Sequence, residues 1–152
     1  MFRFTLRSVI VVLSVVAGLS TASLVRAQSV PHREASSGQI FNVTATQFEW
    51  TSEGRGTHFG DYSEAGVTRY FGDGTCEGEF AVTAADGSTL SGIFYGTFFD
   101  LGGGYTGFDV TVEWLVGTRR LEGVTGIGSA AAAVENATGK AEITASGTWE
   151  KS

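Results

Sequence analysis

Between Phe108 and Val116 the chain shows a clear alternation: Phe108, Val110, Val112, Trp114 and Val116 are apolar, while Asp109, Thr111 and Glu113 are polar. A period of two is the mark of a half-buried β-strand, because successive side chains point to opposite faces. The end of the chain repeats it, with Ile143, Ala145 and Trp149 set against Glu142, Thr144, Ser146, Thr148 and Glu150. The two strands are joined through Val116 to Gly128, V-G-T-R-R-L-E-G-V-T-G-I-G, whose four glycines allow a tight fold-over and whose Leu121 and Val124 offer apolar anchors. Arg119 to Glu122 has length for one helical turn at most. A glycine-rich corner between long antiparallel strands predicts a closed sheet, in which strands change direction at the rim.

The rest of the chain also reads as strands and turns. Gln39 to Trp50 is β-branched and aromatic, and Glu53-Gly54-Arg55-Gly56 supplies a turn. Thr57 to Tyr62 and Val67 to Phe71 are shorter runs. Cys76 to Ala85 follows Gly72-Asp73-Gly74, and Asp86-Gly87 is a hairpin signal leading into Thr89 to Asp100. Gly102 to Gly104 and Glu135 to Gly139 are the later turns, with the small, Ala-rich Thr125 to Val134 between them and the last strand partner. The expectation is an all-β domain over residues 39–152, an eight-stranded antiparallel up-and-down barrel. Parity turns Cys76, Phe80, Val82, Phe108, Val110, Val112, Trp114 and Trp149 into its lumen, where they are candidates for contact with a small apolar ligand. In Thr89 to Asp100 both faces are apolar, with Leu90, Phe94 and Phe98 opposed to Ile93, Tyr95 and Phe99. An outer apolar face of that kind predicts a homo-oligomer contact.

Met1 to Ala27 does not belong to this domain. Arg3 and Arg7 precede an apolar run from Val9 to Leu19, and Val25-Arg26-Ala27 ends in small residues, the pattern of a signal peptide cleaved after Ala27. Eleven apolar residues are too few to cross a hydrocarbon core of about 30 Å, so no stable membrane anchor is expected after cleavage. The predicted address is secreted or periplasmic. Gln28 to Gly38, which holds the sole proline, is polar and aperiodic, and is expected to be a flexible lead-in. With ten basic and 16 acidic residues the net charge is −6, and loss of Arg3, Arg7 and Arg26 with the leader brings it to −9. An acidic chain lacks the clustered Lys and Arg that neutralise phosphates, which argues against nucleic acid as a partner. Cys76 is the only cysteine, so stability rests on packing and not on an internal disulfide. Two sequons, at Asn42 and Asn136, matter only in a glycosylating host.

The corner G-T-R-R-L-E-G-V-T-G-I-G resembles the G-T-G-x-F-x-G-A-x-G corner of the allene oxide cyclase barrel-like proteins, a group that includes the dirigent proteins. Ala81 to Leu90, A-V-T-A-A-D-G-S-T-L, is similar to the strand and hairpin preceding that corner in secreted bacterial members. The likeness spans most of Gln39 to Trp149, and departs at Arg119, where the pattern has glycine, and at Leu121, where it has an aromatic. It implies an eight-stranded antiparallel barrel, with oligomers common among relatives. Relatives that are cyclases hold a flexible apolar substrate in the lumen, but no stretch here matches their catalytic residues.

Candidate chemistry in the sequence is sparse. His58 is a candidate for proton transfer, set against a hydrogen-bonded structural role near the rim. Glu49, Asp61, Glu79 and Asp109 are scattered carboxylates that parity places mostly outward. No metal-binding spacing appears, and no cofactor motif, since Gly102 to Gly104 lacks the strand-to-helix context of a phosphate cradle. Three functions stay open: binding a small apolar ligand, an interaction role for a filled barrel, and a cyclase or isomerase of allene oxide cyclase type.

Overall fold

The computed structural model describes residues 28–152, so the expected leader over residues 1–27 lies outside the described residues. Eight strands follow one another: β1 (Val30–Phe41), β2 (Gln47–Gly56), β3 (Gly60–Tyr70), β4 (Thr75–Ala84), β5 (Thr89–Gly102), β6 (Tyr105–Gly117), β7 (Val124–Glu135) and β8 (Lys140–Lys151). Each pairs antiparallel with the next, and β8 returns to β1, closing the barrel. Among the described residues no strand edge is left to pair with another chain.

Turn chemistry sets several of the corners. Gly87 has φ of 79° and its N–H donates to the Ala84 carbonyl, closing the Asp86-Gly87 hairpin between β4 and β5. Between β6 and β7 a single 3₁₀ turn, Arg119–Leu121, follows Thr118, and Leu121 and Val124 are buried as anchors. Arg120 clamps the corner down: its Nε donates to Asp86 Oδ2 at 2.8 Å and a terminal N–H to the His58 carbonyl. That contact with Arg120 holds the Asp86 carboxyl well below the usual carboxylate range.

Inward-facing glycines make room for aromatic rings. Trp50 lies opposite Gly66, Phe80 opposite Gly92, Phe94 opposite Gly78, and Trp114 opposite Gly126. A Cβ on Gly78 would run into the Phe94 ring and the Val67 carbonyl; one on Gly92 would meet Phe80 and the Glu113 carbonyl. Trp50, Phe94 and Phe80 thus occupy the volume their cross-strand glycines leave empty, as Trp149 does at Gly126 from the other side, and the register of each pair is fixed by the fit.

Five sequence expectations are corrected. The stretch expected to be a flexible lead-in is β1, paired over ten positions with β8 and over eight with β2. Its inward positions are His32, Glu34, Ser36, Gly38 and Ile40, so the alternation is mostly polar and carries no hydrophobic signal. The barrel therefore begins at Val30 and not at residue 39. Gln39 to Trp50 is split by a turn at Asn42, where φ is 51°, and the Glu53 to Gly56 glycines lie inside β2. Thr57 to Tyr62 and Val67 to Phe71 mostly merge into β3. Val116 faces outward at 63% exposure, because a bulge between β5 and β6 at Ser91/Gly92 slips the parity after Trp114.

The outward positions of β5 behave as expected, with Ile93, Tyr95 and Phe99 exposed. Beyond β5 the outer face mixes charge, as at Arg55, Glu77 and Glu142, with exposed Leu115, Val116 and Ile127, while the inner face is largely apolar. That polarity is the reverse of a lipid-embedded barrel.

Gly92→Ala is expected to destabilise the barrel by about 1–3 kcal/mol or more, the usual cost of overpacking. Gly72→Ala, which would meet nothing within 4 Å, should stay within about 0.5 kcal/mol of the parent. Urea unfolding of the two variants checks the contrast.

Candidate functional site

The two ends of the barrel differ. At the end formed by the start of β1 and the end of β8, Trp114, Leu90, Val82, His32 and Trp149 pack into a solid plug, all at 3% exposure or less. His32 is at its centre, stacked on Trp149 with ring centroids 3.9 Å apart and edge-on to Trp114 at 5.3 Å. Burying an imidazole is costly unless it is hydrogen-bonded, and its Nε2 meets Glu34 Oε2 at 3.0 Å.

Toward the other end the lumen is hollow. A cavity of about 90 Å³ is bordered by Phe48, Trp50, Phe80, Phe94, Phe108, Val110 and Val112 on one side and by the small residues Ala130, Ala132, Ala141 and Ala145 on the other. The contrast in side-chain size across the barrel creates it: β7 and β8 present methyl groups where β2, β5 and β6 present rings. Ile40, Phe108 and Ile143 along it are only half-buried, so it opens toward the rim formed by the end of β1 and the start of β8.

Two carboxyl groups border this cavity, Glu34 from β1 and Glu64 from β3. They share a region because β2, which separates their strands, carries Gly54 and Gly56 at inward positions where side chains would otherwise stand between them. Glu64 is 8% exposed and accepts a hydrogen bond from Ser52 Oγ at 3.1 Å. Burial first, and the negative charge of Glu34 second, push its carboxyl up to about 8. Burial, then Glu34, likewise pushes the neighbouring Tyr62 phenol well above its ordinary range. Glu64 thus carries a proton at neutral pH, a carboxylic acid in an apolar chamber.

The residues singled out from sequence are distributed as follows. Phe80, Phe108, Val110 and Val112 border the cavity. Val82, Trp114 and Trp149 belong to the plug, and Cys76 is buried without bordering the cavity, its thiol pushed up by burial. His58 sits at the rim of the plugged end, its ring Nε2 2.8 Å from the Pro31 carbonyl and its ring 5.3 Å from Trp149, a structural setting remote from the cavity lining. Glu49, Asp61 and Glu79 face outward against Asn42, Arg55 and Arg69, and Asp109 is exposed. Among the described residues no group of three or more His, Cys, Asp or Glu is placed to hold a metal ion.

His32, Glu34 and Glu64 were missed by the sequence reading. Glu64 fell between two runs read as separate strands, although Tyr62, Glu64, Gly66 and Thr68 keep a period of two. In β1 the usable signal was His32, Glu34 and Ser36 at that same spacing, with Ile40 continuing it.

A group whose folded pKa is raised binds more protons folded than unfolded, so stability is full below the unfolded value and is lost as pH rises. For Glu64 the loss runs from its ordinary 4.5 to about 8. The melting temperature is expected to fall across that window, and Glu64→Gln, which carries no titrating proton, should flatten the fall in a thermal-melt pH series. Comparison with known proteins returns no match: no family model, no curated protein and no solved structure.

Proposed function

We propose that this chain is an exported barrel that binds a small, largely apolar molecule in its lumen, entering at the open rim. One observation carries the reading: a plugged barrel with a hollow half, in which an apolar chamber meets a short set of polar groups, Glu34, Glu64 and Thr68. Small-molecule sites have this composition, an apolar lining for affinity and a few polar atoms for orientation. A barrel serving only as an interaction surface has no need of a chamber, and alanine at Ala130, Ala132 and Ala141 keeps this one open. The leader-like Met1 to Ala27 supports export to a secreted or periplasmic location, and the corner from Gly117 to Gly128 supports kinship with the allene oxide cyclase barrel-like proteins.

A second reading, a cyclase or isomerase, is favoured by the proton on Glu64. A neutral carboxylic acid in a dry cavity is a competent general acid for an apolar substrate. Ligand binding is the broader claim and comes first.

Hexan-1-ol is a suitable probe, since its chain is thin enough for the chamber. Titration is expected to change tryptophan fluorescence through Trp50 and to saturate. Ala132→Phe, which fills the chamber from β7, should weaken binding at least tenfold while its far-ultraviolet spectrum stays that of a β protein. Saturable binding that survives Ala132→Phe unchanged would place the ligand elsewhere.

A further inference from the structure

Resting on the reading of the lumen as a ligand site, we infer that its ligand is an apolar amine, bound with the ammonium group against Glu64 and Glu34 and the hydrocarbon body along the aromatic wall toward the open rim. The chamber itself points there. At about 90 Å³ it has room for a head group and a few carbons, roughly three waters' worth at about 30 Å³ each, and the rest of a longer molecule must extend through the rim.

The charge inventory of the interior is one-sided. Glu34 from β1 and Glu64 from β3 both border the chamber. The other titratable groups facing inward are His32 on β1, already turned to Glu34, Tyr62 and Tyr70 on β3, and Cys76 on β4. Strands β2 and β5 to β8 turn no titratable side chain inward, and among the described residues no Lys or Arg side chain faces the interior. Two acidic groups in a low-dielectric space with no resident Lys or Arg are complementary to a cation.

The surrounding atoms suit an ammonium in particular. It offers three donors, and Glu64, Glu34 and Thr68 Oγ1, which border the chamber, supply acceptors, while the Ser52 hydroxyl donates to Glu64. Trp50 and Phe94, with ring centroids 6.4 Å apart, border the same space, and aromatic rings attract a cation. A carboxylate ligand would instead add a third acidic group, and an alcohol would bring no charge to meet the two carboxyl groups.

The proton balance is simple. The amine enters as R–NH₃⁺, Glu64 gives up its carboxyl proton to solvent, and the new pair is R–NH₃⁺ against Glu64 carboxylate. Binding therefore releases one proton wherever Glu64 starts protonated, and affinity rises about tenfold per pH unit through that range.

The test compares n-hexylamine, hexan-1-ol and hexanoate by isothermal titration calorimetry in two buffers of different ionisation enthalpy, between pH 6 and pH 7.5. The expected result is hexylamine tighter than hexan-1-ol by at least tenfold, hexanoate weakest, and about one proton released per hexylamine bound. Glu64→Gln should abolish the proton release and bring hexylamine down to the affinity of hexan-1-ol, while leaving hexan-1-ol binding in place as a check on folding. Hexan-1-ol or hexanoate binding as tightly as hexylamine overturns the amine assignment and leaves the lumen reading standing. Absence of binding by all three overturns both.

Discussion

Ring over glycine is the contact on which this barrel depends. At Gly66, Gly78, Gly92 and Gly126 the missing Cβ is the space taken by Trp50, Phe94, Phe80 and Trp149, each from the strand alongside. The arrangement does two things at once. It lets a small barrel bury large aromatics without a crowded centre, and it fixes register, because a slip of one residue would send every ring to the solvent face. With a single cysteine and no disulfide, stability rests on this shape fit and not on covalent bridges.

The same fit explains why one half of the lumen is solid and the other hollow. Near the plugged end, rings arrive from β6 and β8 together, and His32 fills the gap between the two indoles. Farther along, β7 and β8 supply only alanine, valine and isoleucine at inward positions, so the rings of β2, β5 and β6 face methyl groups across a gap. Protein interiors ordinarily close such gaps to crystal-like density. The hollow persists because the backbone cylinder cannot collapse around it: the strand number sets the diameter, and small side chains cannot reach across.

Much of the architecture was legible in the sequence because its signal is hydrophobic alternation. β4, β6 and β8 declare themselves through Phe80 and Val82, Val112 and Trp114, Ala145 and Trp149, and the Asp86-Gly87 and Gly102 to Gly104 turns punctuate them. The chemistry was hidden for the complementary reason. β1 and the middle of β3 turn His32, Glu34, Ser36 and Glu64 inward, so the strands that hold the polar groups lack the pattern by which strands are recognised. Polar residues at period two read as loop, so the expected count of eight is reached from sequence by taking Thr57 to Tyr62 and Val67 to Phe71 as two strands, whereas the barrel joins them in β3 and takes its eighth strand from β1. Val116 failed differently, since a bulge is a backbone event that side-chain parity does not register.

Glu64 is therefore the most informative residue in the interior. An ionisable side chain placed in an apolar chamber lowers stability relative to an apolar residue of the same size, and such positions drift toward hydrophobic residues unless something holds them. If the role of Glu64 were to organise the fold, its natural place would be among the packed aromatics of the plug, where His32 lies stacked on Trp149 with its Nε2 against Glu34. It stands instead at the boundary between the plug and the hollow, anchored by one hydroxyl from Ser52 and bordering empty space. The energetic cost thus falls where an incoming molecule would offset it. That coincidence of a strained acid with an unfilled volume ties the packing of the barrel to its chemistry.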